Sequence, residues 1–145
     1  MKITILAVGR LGAAPEAALA RGWAERATQT GRSLGLGPVE IVEVEASKLL
    51  TRAADATLIA CDEHGTALAS RAFAERLTRL RDDGVRRLAF VIGGADGLQD
   101  SVLARASHTL AFGPQTWPHA LVRAMLAEQI YRAATIMADL PYHRD

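Results

Sequence analysis

The chain has 145 residues, half of them hydrophobic, with 17 basic against 16 acidic side chains and a formal net charge of +1. That length suits one domain that buries a core without metal or disulfide, and the lone cysteine, Cys61, cannot close an internal bridge. The charge balance excludes a broad polyanion-binding field, no apolar run approaches the ~20 residues of a membrane span, and no secretory leader opens the chain, so a cytoplasmic protein is expected.

"KITILAV", Lys2 to Val8, is a short β-branched apolar run stopped by Gly9 and reads as a buried strand. "PEAALARGWAERATQTG" follows as a helix, with Pro15 at its first position, Glu16 near the positive end of the dipole and Gly31 as the stop. Val39 to Val44 alternates as a half-exposed strand, and Ala56 to Asp62 gives a third. "SRAFAERLTRLRDDG" is an amphipathic helix ending at Gly84, and Arg86 to Ile92 is a fourth strand running into "GGADG". "LQDSVLARAS" is a short helix, "HTLAF" a fifth strand, and "PHALVRAMLAEQIYRAATIMAD" a long last helix opened by Pro118. Strands separated by helices predict an α/β fold, a mainly parallel sheet with helices on both faces. Neither a repeat nor a linker divides the chain, so residues 1–145 form a single domain.

One junction strains that scheme. Between Val44 and Ala56 lie only the residues "EASKLLTRAAD", short for a parallel crossover of a dozen or more residues. Either the connection is tight, or the two strands are not simple neighbours.

Candidate chemistry gathers in the C-terminal half. "FVIGGADGL" puts Gly93, Gly94 and Gly97 where a buried strand gives way to a helix, the usual ligand position in open α/β sheets. The pattern is neither G-x-G-x-x-G nor G-x-x-x-x-G-K-[ST], which argues against a dinucleotide or a nucleoside triphosphate. "FGPQTWPHALVR" follows the fifth strand, and Pro114 and Pro118 fix much of this loop. A rigid loop there suits a flat heterocycle read by backbone groups, with Trp117 either a contact or a hydrophobic plug. His119 opens the last helix, where the dipole opposes protonation, and reads as a neutral, hydrogen-bonded or RNA-facing imidazole. The arginines at 76, 79, 81, 86 and 87 are interspersed with Glu75, Asp82 and Asp83 and read as a solvated face.

The last helix is apolar around most of its circumference, so it is covered on two sides. The second cover is either another subunit, admitted by Ala120, Ala124 and Ala127, or the rest of the same domain. Beyond it, "LPYHRD" sets proline, an aromatic ring, an imidazole and a guanidinium within four positions of a terminus, an unusual composition for a loose end.

Together "MKITILAVGR", "FVIGGADGL", "TWPHALVRAMLAEQIYRA" and the closing "PYHRD" resemble the RlmH family of the SPOUT superfamily, the pseudouridine methyltransferases of the ribosomal large subunit. The resemblance runs almost end to end. It implies S-adenosylmethionine-dependent methylation of N3 of a pseudouridine in helix 69 of 23S rRNA, by a homodimer acting on the assembled ribosome rather than on DNA or a membrane. It also implies a C-terminal trefoil knot, which the general rule against knotted chains would not suggest. Transferred position by position, the cofactor pocket takes Cys61, Gly93 and the loop Phe112, Gly113, Pro114, Gln115, Thr116 and Trp117. Cys61 departs from the leucine usual in the family, and the connector at 45–55 is shorter than the family's lysine-rich insertion.

The chemistry implied is a direct displacement that needs no metal, only alignment and exclusion of water. The N3 proton of a pseudouridine belongs to a weakly acidic imide, so a base or a nearby cation has to deal with it. The resemblance gives these duties to the tail: Tyr142 as positioner, His143 as base or hydrogen-bond donor, Arg144 as electrostatic stabiliser and phosphate clamp. The alternative is a non-catalytic ribosome-associated protein that keeps a nucleotide pocket.

Overall fold

The computed structural model describes residues 1–145 and places five parallel strands in one sheet. β1 (Lys2–Val8), β2 (Val39–Val44), β3 (Thr57–Ala67), β4 (Arg87–Ile92) and β5 (His108–Ala111) lie in the order β2-β1-β4-β3-β5. Side chains alternate across it, as the two-residue period of a strand requires. Ile3, Ile5 and Ala7 of β1 and Leu88, Phe90 and Ile92 of β4 enter one core cluster, while Leu6, Ala89 and Val91 enter the other. The first cluster is roofed by α1 (Pro15–Gly31), α3 (Ser70–Asp82) and α5 (His119–Met137). The second is covered by the one-turn α2 (Leu49–Arg52) and the short α4 (Asp100–Arg105). The expected α/β architecture is present, with helices on both faces.

The strained junction resolves in favour of strands that are not neighbours. β1 and β4 lie between β2 and β3, so the connector crosses three strand spacings, ~14 Å. It does so as a 3-10 turn over Ala46–Lys48 followed by α2, with Leu49 and Ala53 buried on the sheet beneath.

β3 runs past the expected Asp62 to Ala67. Cys61 and Thr66 both register with Leu110, so Asp62 to Gly65 leave the ladder between them. Gly65 lets the strand return: a β-carbon there would stand 2.8 Å from the backbone nitrogen of Leu110, a clash for any other residue.

α5 is covered within the chain. α1 packs along it, and α3 adjoins it through Ser70 Oγ, which donates to Gln129 Oε1 at 2.8 Å. Ala124 and Ala127 of α5 are buried, as are Ala24 and Ala27 of α1, and the two helices pack together. Ala120, the third small residue expected to admit a second subunit, is only half-buried. None of the helices is long and apolar enough to cross a membrane.

Candidate active site

At the C-terminal ends of β3, β4 and β5 the sheet opens into a cavity of about 610 Å³. β3 contributes Cys61, Asp62 and Glu63; the turn after β4 contributes Gly93 to Leu98; the segment after β5 contributes Phe112, Gln115, Thr116, Trp117 and His119. Of the expected cofactor residues, Cys61, Gly93, Phe112, Gln115, Thr116 and Trp117 line this one space, whereas Gly113 and Pro114 do not. Gly113 acts through its backbone, turning the loop at φ +95°.

Each wall has a local cause. The turn after β4 closes with the Gly97 N–H donating to the Gly94 carbonyl at 3.0 Å, Gly97 itself at φ +72°. A β-carbon on Gly93 would lie 2.5 Å from the Gly97 carbonyl carbon, so this glycine is required by the turn folded over it. The loop after β5 is tied at its ends: Trp117 Nε1 donates to the Phe112 carbonyl at 3.0 Å while the ring stays 39% exposed. Thr116 Oγ1 donates to Glu63 Oε2 at 2.7 Å, joining the loop to the excursion in β3. One side of Cys61 borders the cavity, but its apolar surroundings push the thiol up to about 12, which leaves it protonated and a poor nucleophile at neutral pH.

The electrostatics are one-sided. Asp62, Glu63 and Asp96 line the cavity and no lysine or arginine does. The expected third strand ends at Asp62, and neither carboxylate of the pair is among the expected site residues. His119 lines the cavity as the first residue of α5, its Nδ1 buried with no hydrogen-bond partner.

Arg123, one turn further along α5, is 2% exposed. Its Nη1 donates to Glu43 Oε2 at 2.7 Å and its Nη2 to the Gly9 carbonyl at 2.9 Å. Glu43 also accepts from the Leu11 N–H at 2.9 Å. The Arg123 hydrogen bond first, and that backbone N–H second, hold the Glu43 carboxyl below its usual value. This ion pair fastens α5 to the ends of β1 and β2.

The tail is docked on its own chain, and none of its residues lines the cavity. The Tyr142 hydroxyl donates to Glu128 Oε1 at 2.8 Å, its ring meets Tyr131 edge-on with centroids 4.8 Å apart, and the Arg132 guanidinium lies 4.8 Å over it. His143 Nδ1 stands 3.2 Å from Arg132 Nη1 and its Nε2 3.0 Å from Asp145 Oδ1. Since arginine only donates, Nδ1 is the acceptor and Nε2–H the donor. Arg71 Nε closes the chain of contacts on Asp145 at 2.6 Å, and its hydrogen bond is the main reason the Asp145 carboxyl falls to about 2. Arg144 has no side-chain partner in these networks.

The fold, a parallel sheet roofed by helices, is shared with solved structures. A probable methylase family protein from Haemophilus influenzae Rd KW20 superposes with a TM-score of 0.56 at 16% identity, over 99% of this chain and 70% of that one. A probable methyltransferase from Bordetella pertussis Tohama I gives 0.53 at 16% identity, over 92% and 96%. The family described as "Predicted SPOUT methyltransferase" matches residues 1–143. The chain is a member of the SPOUT methyltransferase class.

Its curated relatives narrow the assignment. A Caulobacter sp. (strain K31) protein named ribosomal RNA large subunit methyltransferase H is 63% identical over 154 aligned positions, covering 100% of both chains. The Ruegeria pomeroyi protein of the same name is 50% identical, covering 99% of each. The chain belongs to the family of ribosomal RNA large subunit methyltransferase H. The first alignment spans 154 positions against a chain of 145 residues, so the relative carries residues that this chain lacks.

Proposed function

We propose that the cavity binds S-adenosylmethionine and that the chain transfers its methyl group to N3 of a pseudouridine in helix 69 of 23S rRNA, on the assembled ribosome. The observation that carries the first half is the lining: three carboxylates and no lysine or arginine. A sulfonium is a permanent cation and is attracted there, whereas a nucleotide's phosphates would meet only like charge. The space and the tied loop suit a nucleoside-sized ligand with a flat ring. The second half is supported by the relatives' names, which specify large-subunit ribosomal RNA, and by the resemblance for the base and position.

When bound, the sulfonium supplies the methyl carbon by direct displacement, N3 gaining the carbon and sulfur keeping the bonding pair. This chain's residues align and shield the reactants. The loop from Phe112 to Trp117 holds the ring, and the turn from Gly93 to Leu98 closes the cavity beneath it. Tyr142 positions the target base, His143 takes up the N3 proton, and Arg144 stabilises the imide anion and grips phosphate. In the docked tail both His143 nitrogens are engaged, so that role requires the tail to lift away from α5. A homodimer joined through the groove of Leu19, Trp23, Leu121 and Met125 belongs to the same proposal, as does the trefoil knot. Leu19 is 51% exposed there.

The test is to incubate the protein, isotopically labelled S-adenosylmethionine and unmodified ribosomes, and to map the label. Label on the helix 69 pseudouridine is expected. Tight cofactor binding with no transfer to 23S rRNA would replace the enzyme with a ribosome-associated binding protein.

A further inference from the structure

We infer that His119 donates a hydrogen bond from Nε2 to the carboxylate of the methyl donor's amino-acid portion, and so selects S-adenosyl compounds that carry that amino acid. The inference rests on the S-adenosylmethionine reading above and adds to it which residue reads which end of the ligand.

The ring's two nitrogens are in different situations. Nδ1 is closed off from solvent and has no partner, while Nε2 is neither closed off nor bonded to any protein group. Buried N–H groups without acceptors are the rarer kind of orphan. The proton therefore belongs on Nε2, leaving a bare lone pair inside and an N–H at the cavity wall. The backbone at this point is set by Pro118, at φ −56°, and by the start of α5.

The other polar side chains of the lining are committed or are acceptors. The Thr116 hydroxyl is given to Glu63 and the Trp117 indole N–H to the Phe112 carbonyl. Asp62, Glu63 and Asp96 accept only, and Gln115 lies on an exposed stretch of loop. His119 is thus the uncommitted donor in a fixed position. An S-adenosyl amino acid has one group that both seeks such a donor and is repelled by the three acidic residues, its carboxylate. The ammonium beside it has the opposite preference, so the lining fixes the direction in which the amino-acid portion lies. The first turn of α5 takes no side-chain cap, and its positive dipole end acts in the same sense as the His119 donor.

Calorimetry with S-adenosylmethionine, S-adenosylhomocysteine and 5′-methylthioadenosine tests this, because the last keeps the nucleoside and sulfur but lacks the amino acid. His119→Ala is expected to weaken the first two by about tenfold or more, the loss of a hydrogen bond to a charged group, and methylthioadenosine by less than about twofold. His119→Gln, which restores an N–H, is expected to recover most of the affinity. If His119→Ala does not fold, His119→Phe keeps the ring without the donor and gives the same comparison. Equal loss for all three ligands, or loss for none, overturns the assignment. Failure of the unmodified protein to bind any of them sinks the methyl-donor reading itself, a result visible before any variant is made.

Discussion

A β-carbon at Gly93 collides with backbone at 2.5 Å, and backbone cannot swing aside as a flexible side chain can. Gly93→Val is therefore expected to open the Gly94–Gly97 turn, destabilise the fold by about 1–3 kcal/mol as overpacking does, and lower S-adenosylmethionine affinity at least tenfold. Paired thermal unfolding and calorimetry check both effects; unchanged affinity would free this residue from the cavity's architecture. The glycine pair was legible because it follows an apolar run at the place where open sheets bind ligands. Gly65 was not, since its reason is the backbone of β5, more than forty residues away. Asp62 and Glu63 went unread with it: only the slipped ladder explains why two carboxylates leave the sheet beside the cavity.

Most elements were read from their starts and stops, and β1, β2 and α1 have the expected bounds. The cover of α5 was not decidable in that way. A helix apolar all round is written identically whether its second neighbour is α1 of the same chain or a helix of another. The tail shows the same limit: its composition announced contacts, yet nothing in "PYHRD" names Glu128, Arg132 or Arg71 as partners. Deleting residues 142–145 is expected to cost about 1–2 kcal/mol of stability, mainly the part-buried hydroxyl bond and the aromatic contacts of Tyr142. Chemical denaturation reads that loss. The same deletion should leave S-adenosylmethionine affinity within about twofold while abolishing methylation of ribosomes; full turnover without the tail would remove it from the proposed chemistry.

At the scale of the whole molecule, one ion pair joins segments distant in sequence. Arg123 is enclosed and Glu43 keeps 39% of its side chain exposed, so the pair is worth less than a fully buried one. Arg123→Met is expected to destabilise the protein by about 2–3 kcal/mol, chiefly by stranding the Gly9 and Val8 carbonyls and Glu43. The carboxyl of Glu43 is lowered on folding, so its contribution is full above the unfolded value of about 4.5 and is lost as pH falls through the folded one. Urea midpoints measured from pH 5 to pH 3 should accordingly fall more steeply for the unmodified protein than for Glu43→Gln. No spacing rule links positions 43 and 123, and the strand order is equally silent: alternation of strand and helix predicts a parallel sheet, not which strands adjoin.

That order has a consequence for the time course of folding. β4 lies between β1 and β3 and bonds to both, so the two earlier strands have no ladder with each other. As the chain leaves the ribosome, β1 can pair with β2, but β3 must wait for residues beyond Arg87 before it gains a neighbour on either side. The sheet is completed from its middle, late and by contacts remote in sequence, which slow folding. The strands that carry the cavity, β3, β4 and β5, are therefore assembled together in the closing stage of synthesis.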